Sequence, residues 1–387
     1  MTRAPLKIMI VMGTRPDTIK MAPVVAALRA AAPAIETIVC VTAQHREMLD
    51  DVLRIFEIVP DVDLDIMTRT QSLTDITTRV LSGMEVVLAQ HRPDVVLVHG
   101  DTTTSTATAL AAFYAKIPVG HVEAGLRTTT TSEPFPEELN RRLTGVIARY
   151  HFAPTAGSKA NLLAERLDDA DVVVTGNTVI DAFLETARRI EGRPAPPALA
   201  GLDPGRPLIF VTAHRRENHE AMPAIARAVK AIAAFPERPQ IVWPLHPSPQ
   251  VGPVIRPLLA GVDGIRLVVP LDYAATVAAV AGSRFVLTDS GGLQEEAPTL
   301  GKPVLVMRRE TERPEGLAAG TLRLIGADPA EIVNWSRRLL EDTDGAYTAM
   351  ARASNPYGDG HAAARIVAWL LWKLRRGPKP AEFLVAA

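Results

Sequence analysis

The sequence predicts an α/β protein with two Rossmann-like domains, each built on a parallel β-sheet, that face each other across a central cleft. The length of 387 residues suits two domains at roughly 150 residues each. Short apolar runs alternate with longer helical patterns along the whole chain, as they do in βαβ units. The runs are apolar throughout rather than alternating, which is typical of strands that are covered on both faces.

Each half of the chain contributes six predicted strands. In the first half these are Lys7–Met12, Thr37–Thr42, Val95–His99, Val119–Glu123, His151–Ala153 and Val172–Thr175. In the second half they are Leu208–Thr212, Gln240–Trp243, Arg266–Val269, Phe285–Thr288, Val304–Met307 and Leu322–Ile325. Helical patterns between the first strands include Met21–Ala31, Thr104–Ala115 and Glu138–Arg149.

The boundary between the domains is predicted after Gly176-Asn177-Thr178, which gives a first domain at 1–178 and a second at 179–363. The linker is either the helical segment that follows, as far as Ile190, or the Pro-rich Gly192–Pro197. We expect the C-terminal helix, about 364–387, to return to the first domain.

Composition excludes several classes of protein. The 42 Lys and Arg residues against 43 Asp and Glu give a net charge of −1, which argues against a nucleic-acid binder with a strongly basic face. The single cysteine, Cys40, excludes a disulfide framework and a cysteine-rich metal site. One cysteine in an apolar run also fits a cytoplasmic location, and we expect no signal peptide.

The C-terminal run Ile366–Trp372 is the nearest candidate for a membrane contact, because Lys373, Arg375 and Arg376 follow it. It is shorter than the ~18–20 residues that span a bilayer. A helix that lies on a membrane interface is one interpretation. The favoured interpretation is a helix docked on the body of the protein, so we expect no membrane partner.

Polar residues just after the strands are the candidates for chemistry, because ligands of open α/β sheets bind at the carboxyl ends of the strands. Three carboxylates of the first domain qualify: Asp101, Glu123 and Glu137. Each has a structural alternative, since Asp caps helices well and carboxylates favour helix N-termini. Near one another, like charges raise pKa values, which suits a general acid or base.

Glycines and cations point to an anionic ligand. Arg15 and Lys20 lie in and after the turn Gly13–Asp17 and suit a phosphate or diphosphate, although a capped helix with solvated charges explains them equally well. In the second domain, His214 follows a strand and stands among arginines.

A further group in the second domain resembles a phosphate and ribose site. Ser290, Gly291 and Gly292 open a helix whose backbone N–H groups could hold a phosphate. Glu296, at the next turn, could accept hydrogen bonds from ribose hydroxyls, and Arg313 adds a cation. Together these residues predict a nucleotide-sugar site.

The ordered set of motifs resembles the non-hydrolysing UDP-N-acetylglucosamine 2-epimerases of bacteria. The matching segments are Gly13–Pro16, Thr42–Arg46, His99–Thr103, Gly120–Arg127, Pro136–Arg141, Thr175–Thr178, His214–Asn218, Asp289–Gly292, Gln294–Pro298, Thr311–Glu315 and Asn355–Gly358. They run in order from near the N-terminus to about residue 360, with little room for insertions.

The resemblance implies a GT-B-like architecture, the two-domain fold of many nucleotide-sugar glycosyltransferases and phosphorylases. It implies reversible 2-epimerisation of UDP-GlcNAc to UDP-ManNAc by a cytoplasmic homodimer, for polysaccharide precursor supply in the cell envelope. In this family the C2 proton is removed and UDP leaves C1, giving a 2-acetamidoglucal. UDP then adds back, and a proton is delivered to the opposite face of C2. The resemblance implies no metal and no nicotinamide or other cofactor.

The resemblance also implies residue roles. The catalytic residues would be Asp101, Glu123, Glu137 and His214. The UDP-binding residues would be Arg15, Lys20, Ser290, Gly291, Gly292, Glu296 and Arg313. Bacterial relatives bind a second UDP-GlcNAc as an allosteric activator, and the matching positions are Gln44, Glu47, Arg215 and His246. Glu47 stands where some relatives carry Gln, and Thr128–Glu133, Leu271 and Thr276 also depart from the family pattern.

Several alternative functions share the same motifs. A hydrolysing relative would release free ManNAc and UDP after the same first step. A related UDP-N-acetyl sugar could replace UDP-GlcNAc as the substrate. The complete set of carboxylates and His214 argues against a sensor that has lost catalysis, and it gives no reason to expect a transferase acceptor.

Overall fold

The computed structural model describes residues 4–44, 46–68, 70–375 and 377–385. Predictions that involve Met1–Arg3, His45, Arg376 and the last two residues lie outside the described residues. The chain divides into two compact units. The first runs to Ala182 and is completed by Gly358–Leu384, and the second is Phe183–Tyr357. The sequence-based domain limits remain predictions: 1–178 completed by 364–387 for the first domain, and 179–363 for the second.

The first unit alternates strands and helices. Its elements are β1 (Leu6–Met12), α1 (Arg15–Ala30), β2 (Ile35–Val41), α2 (Arg46–Ile55), β3 (Val62–Asp63), α3 (Leu73–His91), β4 (Val95–His99), α4 (Thr103–Tyr114), β5 (Val119–Val122), α5 (Glu137–Ile147), β6 (Tyr150–Ala153), α6 (Ala156–Ala164), β7 (Val172–Val174) and α7 (Thr178–Ile190). All six strands predicted for this half are present, and the two-residue β3 is additional.

The sheet of the first unit is parallel throughout, in the order β3-β2-β1-β4-β5-β6-β7. Ile10 at its centre pairs with Val39 on one side and Leu97 on the other. Because β1, β4 and β5 are neighbours, the loops that follow them leave the same edge of the sheet. This arrangement brings the loops at Gly13, Gly100 and Glu123 together.

Helix α1 begins at Arg15, six residues before the predicted Met21. The Asp17 carboxylate accepts hydrogen bonds from two backbone N–H groups at the helix start, at 3.0 and 2.7 Å. Pro16 lies in the first turn, where its missing N–H leaves no helical bond unmade. The predicted start at Met21 is therefore wrong, and Lys20 lies in the second turn of the helix.

The second unit repeats the alternation. Its elements are β8 (Leu208–Thr212), α8 (Met222–Ala233), β9 (Gln240–Pro244), α9 (Gly252–Leu259), β10 (Ile265–Val268), α10 (Tyr273–Gly282), β11 (Phe285–Thr288), α11 (Gly291–Glu296), β12 (Val304–Val306), α12 (Pro314–Ala319), β13 (Leu322–Leu324), α13 (Pro329–Glu341) and α14 (Ala346–Arg352). The sheet is again parallel, in the order β10-β9-β8-β11-β12-β13. The predicted α/β class with two parallel sheets is confirmed.

The C-terminal helix α15 (Ala362–Arg375) packs on the first unit, as predicted. Trp369 is 1 % exposed, and its ring meets the rings of Tyr150 and Phe152 edge-on at 5.2 and 5.4 Å. The predicted helical range was too long, because residues 377–385 have no helical structure. Phe383 in this segment donates its backbone N–H to the β7 residue Val174 at 2.8 Å. Among the described residues, no helix is long and apolar enough to cross a bilayer.

Candidate active site

A buried carboxylate, Glu123, is the centre of the polar cluster in the first unit. The Lys20 ammonium donates to its Oε1 atom, and Asn177 Nδ2 donates to the same oxygen at 2.9 Å. His99 Nε2 lies 3.3 Å from the other oxygen, Oε2. Burial by itself would raise the pKa of Glu123, but the Lys20 ammonium and the other donors hold it well below its usual range. Glu123 is therefore ionised at neutral pH.

The backbone at Glu123 is unusual. Strand β5 ends at Val122, one residue before the predicted end, because Glu123 has a φ of +62° and cannot continue an extended strand. Positive φ is uncommon outside glycine and is found where the surrounding structure enforces it. A Cβ built on Gly100 would lie 3.2 Å from Glu123 Oε2, so the adjacent loop passes close to the carboxylate.

Asp101, in the loop between β4 and α4, has a different environment. Arg141 on α5 donates to its carboxylate at 2.5 Å, and Asn140 donates to its backbone carbonyl at 3.0 Å. Burial raises the pKa of Asp101, the Arg141 guanidinium opposes this effect, and the nearby Glu123 and Glu137 carboxylates add to it. The pKa values of Asp101 and Glu123 thus move in opposite directions, which is the arrangement that separates acid from base roles.

Glu137 and Glu138 differ sharply although they are adjacent. Glu137 is the first residue of α5 and is half-buried. Glu138 is completely buried, and its oxygens accept from Arg142 Nε at 2.7 Å and from the backbone N–H of Thr128 at 3.1 Å. Glu138 therefore fixes the Thr128 loop to α5, whereas Glu137 is the carboxylate of the pair that lies near Asp101.

The loop after β1 is closely packed. A Cβ on Gly13 would lie 2.1 Å from Thr42 Oγ1, so this position has no room for a side chain. Arg15 is half-buried at the start of α1. Gln44 is buried and accepts a hydrogen bond from Thr104 Oγ1 at 2.9 Å.

The predicted histidine of the second unit is held by Asp289, a buried carboxylate that follows β11. Asp289 Oδ2 accepts from the backbone N–H groups of His214 and Arg215 at 2.9 and 2.8 Å, and its Oδ1 lies 3.4 Å from His214 Nδ1. The His214 ring stacks on that of His246, with centroids 5.4 Å apart. Burial lowers the pKa of His214; Asp289 opposes this, whereas His246 and Arg215 add to it. We therefore expect a largely neutral imidazole at neutral pH.

Two guanidinium groups approach the predicted phosphate loop. A Cβ on Gly291, the first residue of α11, would lie 3.5 Å from Arg215 Nη2 and 3.7 Å from Arg313 Nη2. Arg313 is oriented by Glu295, whose Oε1 accepts from its Nε at 2.7 Å. Ser290 is the N-cap of α11, and its hydroxyl makes no capping bond to the helix. A Cβ on Gly292 would lie 3.7 Å from an oxygen of Glu296.

The structure brings the predicted site residues together in two groups, one in each unit. Arg15, Lys20, Asp101, Glu123 and Glu137 belong to the first unit, and His214, Ser290, Gly291, Gly292, Glu296 and Arg313 belong to the second. The residues predicted for a second UDP-GlcNAc are also divided, with Gln44 and the exposed Glu47 in the first unit and Arg215 and His246 in the second.

Sequence reasoning missed four polar residues that contact these side chains: His99, Arg141, Asn177 and Asp289. For three of them, the available signal was the same as for the predicted residues, whereas Arg141 lies within helix α5 and has no such signal. His99 ends β4, Asp289 directly follows β11, and Asn177 follows β7 by three residues. Among the described residues, no group of three or more His, Cys, Asp or Glu side chains is placed to hold a metal ion.

The sequence and the fold of this chain are both shared with known proteins. The sequence model of the UDP-N-acetylglucosamine 2-epimerase family matches residues 27–371. UDP-N-acetylglucosamine 2-epimerase of Escherichia coli K12 is 52 % identical over 368 residues, which are 94 % of this chain and 97 % of that protein.

Solved structures give the same result. UDP-GlcNAc 2-epimerase from Neisseria meningitidis bound to UDP-GlcNAc is 48 % identical, with a TM-score of 0.85 over 95 % of this chain and 100 % of that one. An S. aureus protein solved with UDP is 45 % identical, with a TM-score of 0.85 over 98 % of this chain and 100 % of that one. A family match over most of the chain, at this identity, leaves one conclusion: the chain belongs to the UDP-N-acetylglucosamine 2-epimerase family.

Proposed function

We propose that this protein is a non-hydrolysing epimerase that interconverts UDP-N-acetylglucosamine and UDP-N-acetylmannosamine. One observation carries the proposal: two neighbouring carboxylates, Asp101 and Glu123, have pKa values displaced in opposite directions by their surroundings. Inversion at C2 needs one group that accepts a proton and another that donates one to the opposite face. Membership of the family, and the UDP-GlcNAc and UDP bound by its N. meningitidis and S. aureus relatives, support this assignment.

The carboxylates of the first unit would move the proton. Glu123 is ionised and therefore suited to act as a base, whereas burial raises the pKa of Asp101 and so makes it the better proton donor of the two. Glu137 adds negative charge near Asp101 and is the third candidate acid–base group. Each role reverses in the opposite direction of the reaction.

The second unit would bind UDP and stabilise it as it leaves C1. Arg313 approaches Gly291, which lies between Ser290 and Gly292. The two glycines have no side chains, so they leave room for a phosphate against backbone N–H groups. Glu296 would accept from the ribose hydroxyls. His214 Nδ1 faces the Asp289 carboxylate, so its other ring nitrogen can donate a hydrogen bond to the leaving diphosphate only when the ring is protonated. The negative charge of bound UDP would favour that protonated form.

Two cations of the first unit were also assigned to the diphosphate. Arg15, at the start of α1, is the stronger candidate of the two. Lys20 is occupied by Glu123, so its charge acts first on that carboxylate. We retain both as proposed UDP-binding residues.

The reaction is tested by incubating the protein with UDP-GlcNAc in D2O. We expect deuterium at C2 and accumulation of UDP-ManNAc. Free ManNAc and UDP as the main products would instead identify a hydrolysing enzyme. The absence of both label and product would refute an epimerase acting on UDP-GlcNAc. Turnover of a panel of related UDP-N-acetyl sugars would then identify any other preferred substrate.

We further propose that a second UDP-GlcNAc activates the enzyme through Gln44, Glu47, Arg215 and His246. Stacking of His246 on His214 supports a connection between this set and the catalytic histidine. Sigmoidal dependence of the UDP-ManNAc-forming rate on UDP-GlcNAc would support activation. A hyperbolic dependence that His246→Ala leaves unchanged would exclude it.

The family resemblance leads us to propose a homodimer, and the exposed apolar side chains on three neighbouring helices of the first unit, called here the apolar face, support it. Val86 on α3, Phe113 and Tyr114 on α4, and Val146 on α5 are between 60 and 79 % exposed. A groove of about 710 Å³ between α3 and α4 continues this face. Exposed apolar patches of this kind mark interaction sites, and an identical subunit is the expected occupant.

Light scattering on the eluted protein tests the dimer, for which we expect twice the chain mass of 41.7 kDa. Val146→Lys should shift the population to monomer. Val59→Lys, at a position that is 76 % exposed but far along the chain from this face, should not. A wild-type protein that elutes as a monomer would contradict the proposal.

We also propose a role in supplying polysaccharide precursors and a cytoplasmic location. The buried free thiol of Cys40 is compatible with that location.

A further inference from the structure

Asn177 connects the proposed base to the start of a helix. Its Nδ2 atom donates to Glu123 Oε1 at 2.9 Å, although the two residues are 54 positions apart. Its Oδ1 atom accepts from the backbone N–H of Val179 at 3.1 Å, in the first turn of α7. Because the oxygen is used by the helix, the NH2 group can only point toward Glu123. The hydrogen bond from the Val179 backbone therefore orients the amide toward Glu123.

The surroundings leave this amide no freedom. Asn177 is 2 % exposed. Gly358 packs against its segment so closely that a Cβ there would lie 3.5 Å from the Asn177 backbone nitrogen and 3.2 Å from Ile180 Cγ1. A side chain in this setting sits in one rotamer, which is what a group that must orient another group requires.

We propose that Asn177 is a positioning residue, which holds the Glu123 carboxylate in the orientation and the ionised state needed for proton transfer at C2. The inference rests on the proposed epimerase function and adds to it a residue with no direct contact to the reacting atoms. The function of Asn177 differs from that of Lys20, which supplies charge on a flexible stem. The Asn177 amide is hydrogen-bonded on both sides, so it fixes the orientation of the Glu123 carboxylate.

Among the described residues, titratable groups on three neighbouring elements face Glu123, and each of them affects a test that uses pH. Lys20 on α1 pairs with it, His99 at the end of β4 lies 3.3 Å away, and Asp101 lies in the next loop. Burial lowers the pKa of His99 to about 4, so His99 is neutral in the assay range. A change in the behaviour of Glu123 can then be assigned to Asn177 when only that residue is altered.

The test is the near-isosteric variant Asn177→Asp. It keeps an oxygen for the Val179 N–H but replaces the donor to Glu123 by a second anion. A like charge at this distance raises a carboxyl pKa by about 1–3 units. We expect the acid limb of the kcat/KM profile to move up in pH by that amount. At neutral pH Glu123 stays ionised, because the Lys20 ammonium still holds its pKa low. Repulsion from the new carboxylate should turn Glu123 away from C2, so kcat at neutral pH should fall by about 10-fold with KM little changed.

The control is Asn161→Asp. Asn161 Nδ2 donates to the backbone carbonyl of Gly125 at 3.0 Å, two residues after Glu123, so this variant adds the same charge near the same loop without facing the carboxylate. Its pH profile should match wild type. If Asn177→Asp does not fold, Asn177→Ser provides a second variant, since a hydroxyl still caps α7 but is too short to reach Glu123. It should move the acid limb by about 1 unit.

Two results would overturn the inference. One is an Asn177 variant that folds and has the wild-type pH profile, and the other is a uniform loss of kcat with no movement of the acid limb. Failure of the proposed function is separately visible, because the wild-type enzyme would then produce no UDP-ManNAc from UDP-GlcNAc, and the inference would fall with it.

Discussion

Asp181 gives the protein a pH-dependent contribution to stability that has the opposite sign to that of most carboxylates. It lies on α7 and accepts from the first two backbone N–H groups of α15, those of Ala362 and Ala363, at 3.2 and 2.9 Å. Burial raises its pKa from 3.8 to about 6, and the hydrogen bonds only partly oppose this. The folded protein therefore binds the Asp181 proton more tightly than the unfolded chain does.

The size and sign of the effect follow from this difference. Because the folded pKa is the higher one, the stabilisation is fully present below pH 3.8 and is lost as the pH rises through about 6. A displacement of about two units corresponds to about 3 kcal/mol in total, of which about 2 kcal/mol falls between pH 4 and pH 7. In Asp181→Asn this dependence is absent. The free energy of unfolding of wild type relative to the variant should therefore fall by about 2 kcal/mol over that range.

Urea titrations followed by tryptophan fluorescence, at half-unit steps between pH 4 and pH 7, measure this difference. Asp75→Asn in the same unit is the control, since hydrogen bonds from Ser72 lower the pKa of Asp75, so its contribution has the opposite sign. The difference in the free energy of unfolding between wild type and variant cancels the contributions of all other titrating groups. A difference that stays flat with pH, or rises, would refute the reasoning.

Three further predictions concern single positions. In thermal melts, Gly125→Ala should destabilise the protein by more than about 2 kcal/mol, because φ is +93° and the new Cβ would lie 2.2 Å from the Ser158 carbonyl oxygen. Its control, Gly192→Ala, also has a positive φ, but the new Cβ would meet open space. The control should therefore lower the free energy of unfolding by only about 1 kcal/mol. Trp369→Ala should cost about 3–5 kcal/mol in urea unfolding, and a loss below 1 kcal/mol would contradict the packing described for α15. Asp101→Asn should lower the rate of UDP-ManNAc formation at least ~100-fold while UDP still binds, and near wild-type turnover would exclude its acid–base role.

The positions of the strands were predictable because parallel strands covered on both faces are continuous apolar runs. Leu208–Thr212 and Phe285–Thr288 have the predicted limits. Such runs, ended by Gly or a polar residue, leave little freedom in where a buried strand stops. The two-residue β3 at Val62–Asp63 could not be predicted, since it is too short to show a pattern.

The candidate residues were predictable by type and position, but their pairings were not. Lys20 and Glu123 are 103 residues apart, and nothing local in either motif indicates that they form an ion pair. The positive φ of Glu123 likewise has no local signal, because the conformation is imposed by the loops that surround it. Because the Lys20–Glu123 ion pair has no local signal, sequence reasoning assigns Lys20 to a phosphate. The chain places it against a carboxylate.

The division of the first unit along the chain has a consequence for synthesis on the ribosome. The 175 residues of Phe183–Tyr357 must be made before α15, which completes that unit, can emerge. At the usual speed of translation this takes roughly ten to forty seconds. During that time Tyr150 and Phe152 lack the Trp369 ring that covers them, while the second unit has its whole sequence available. The unit encoded first is thus the last to be finished, and its apolar surface stays exposed to aggregation during that time.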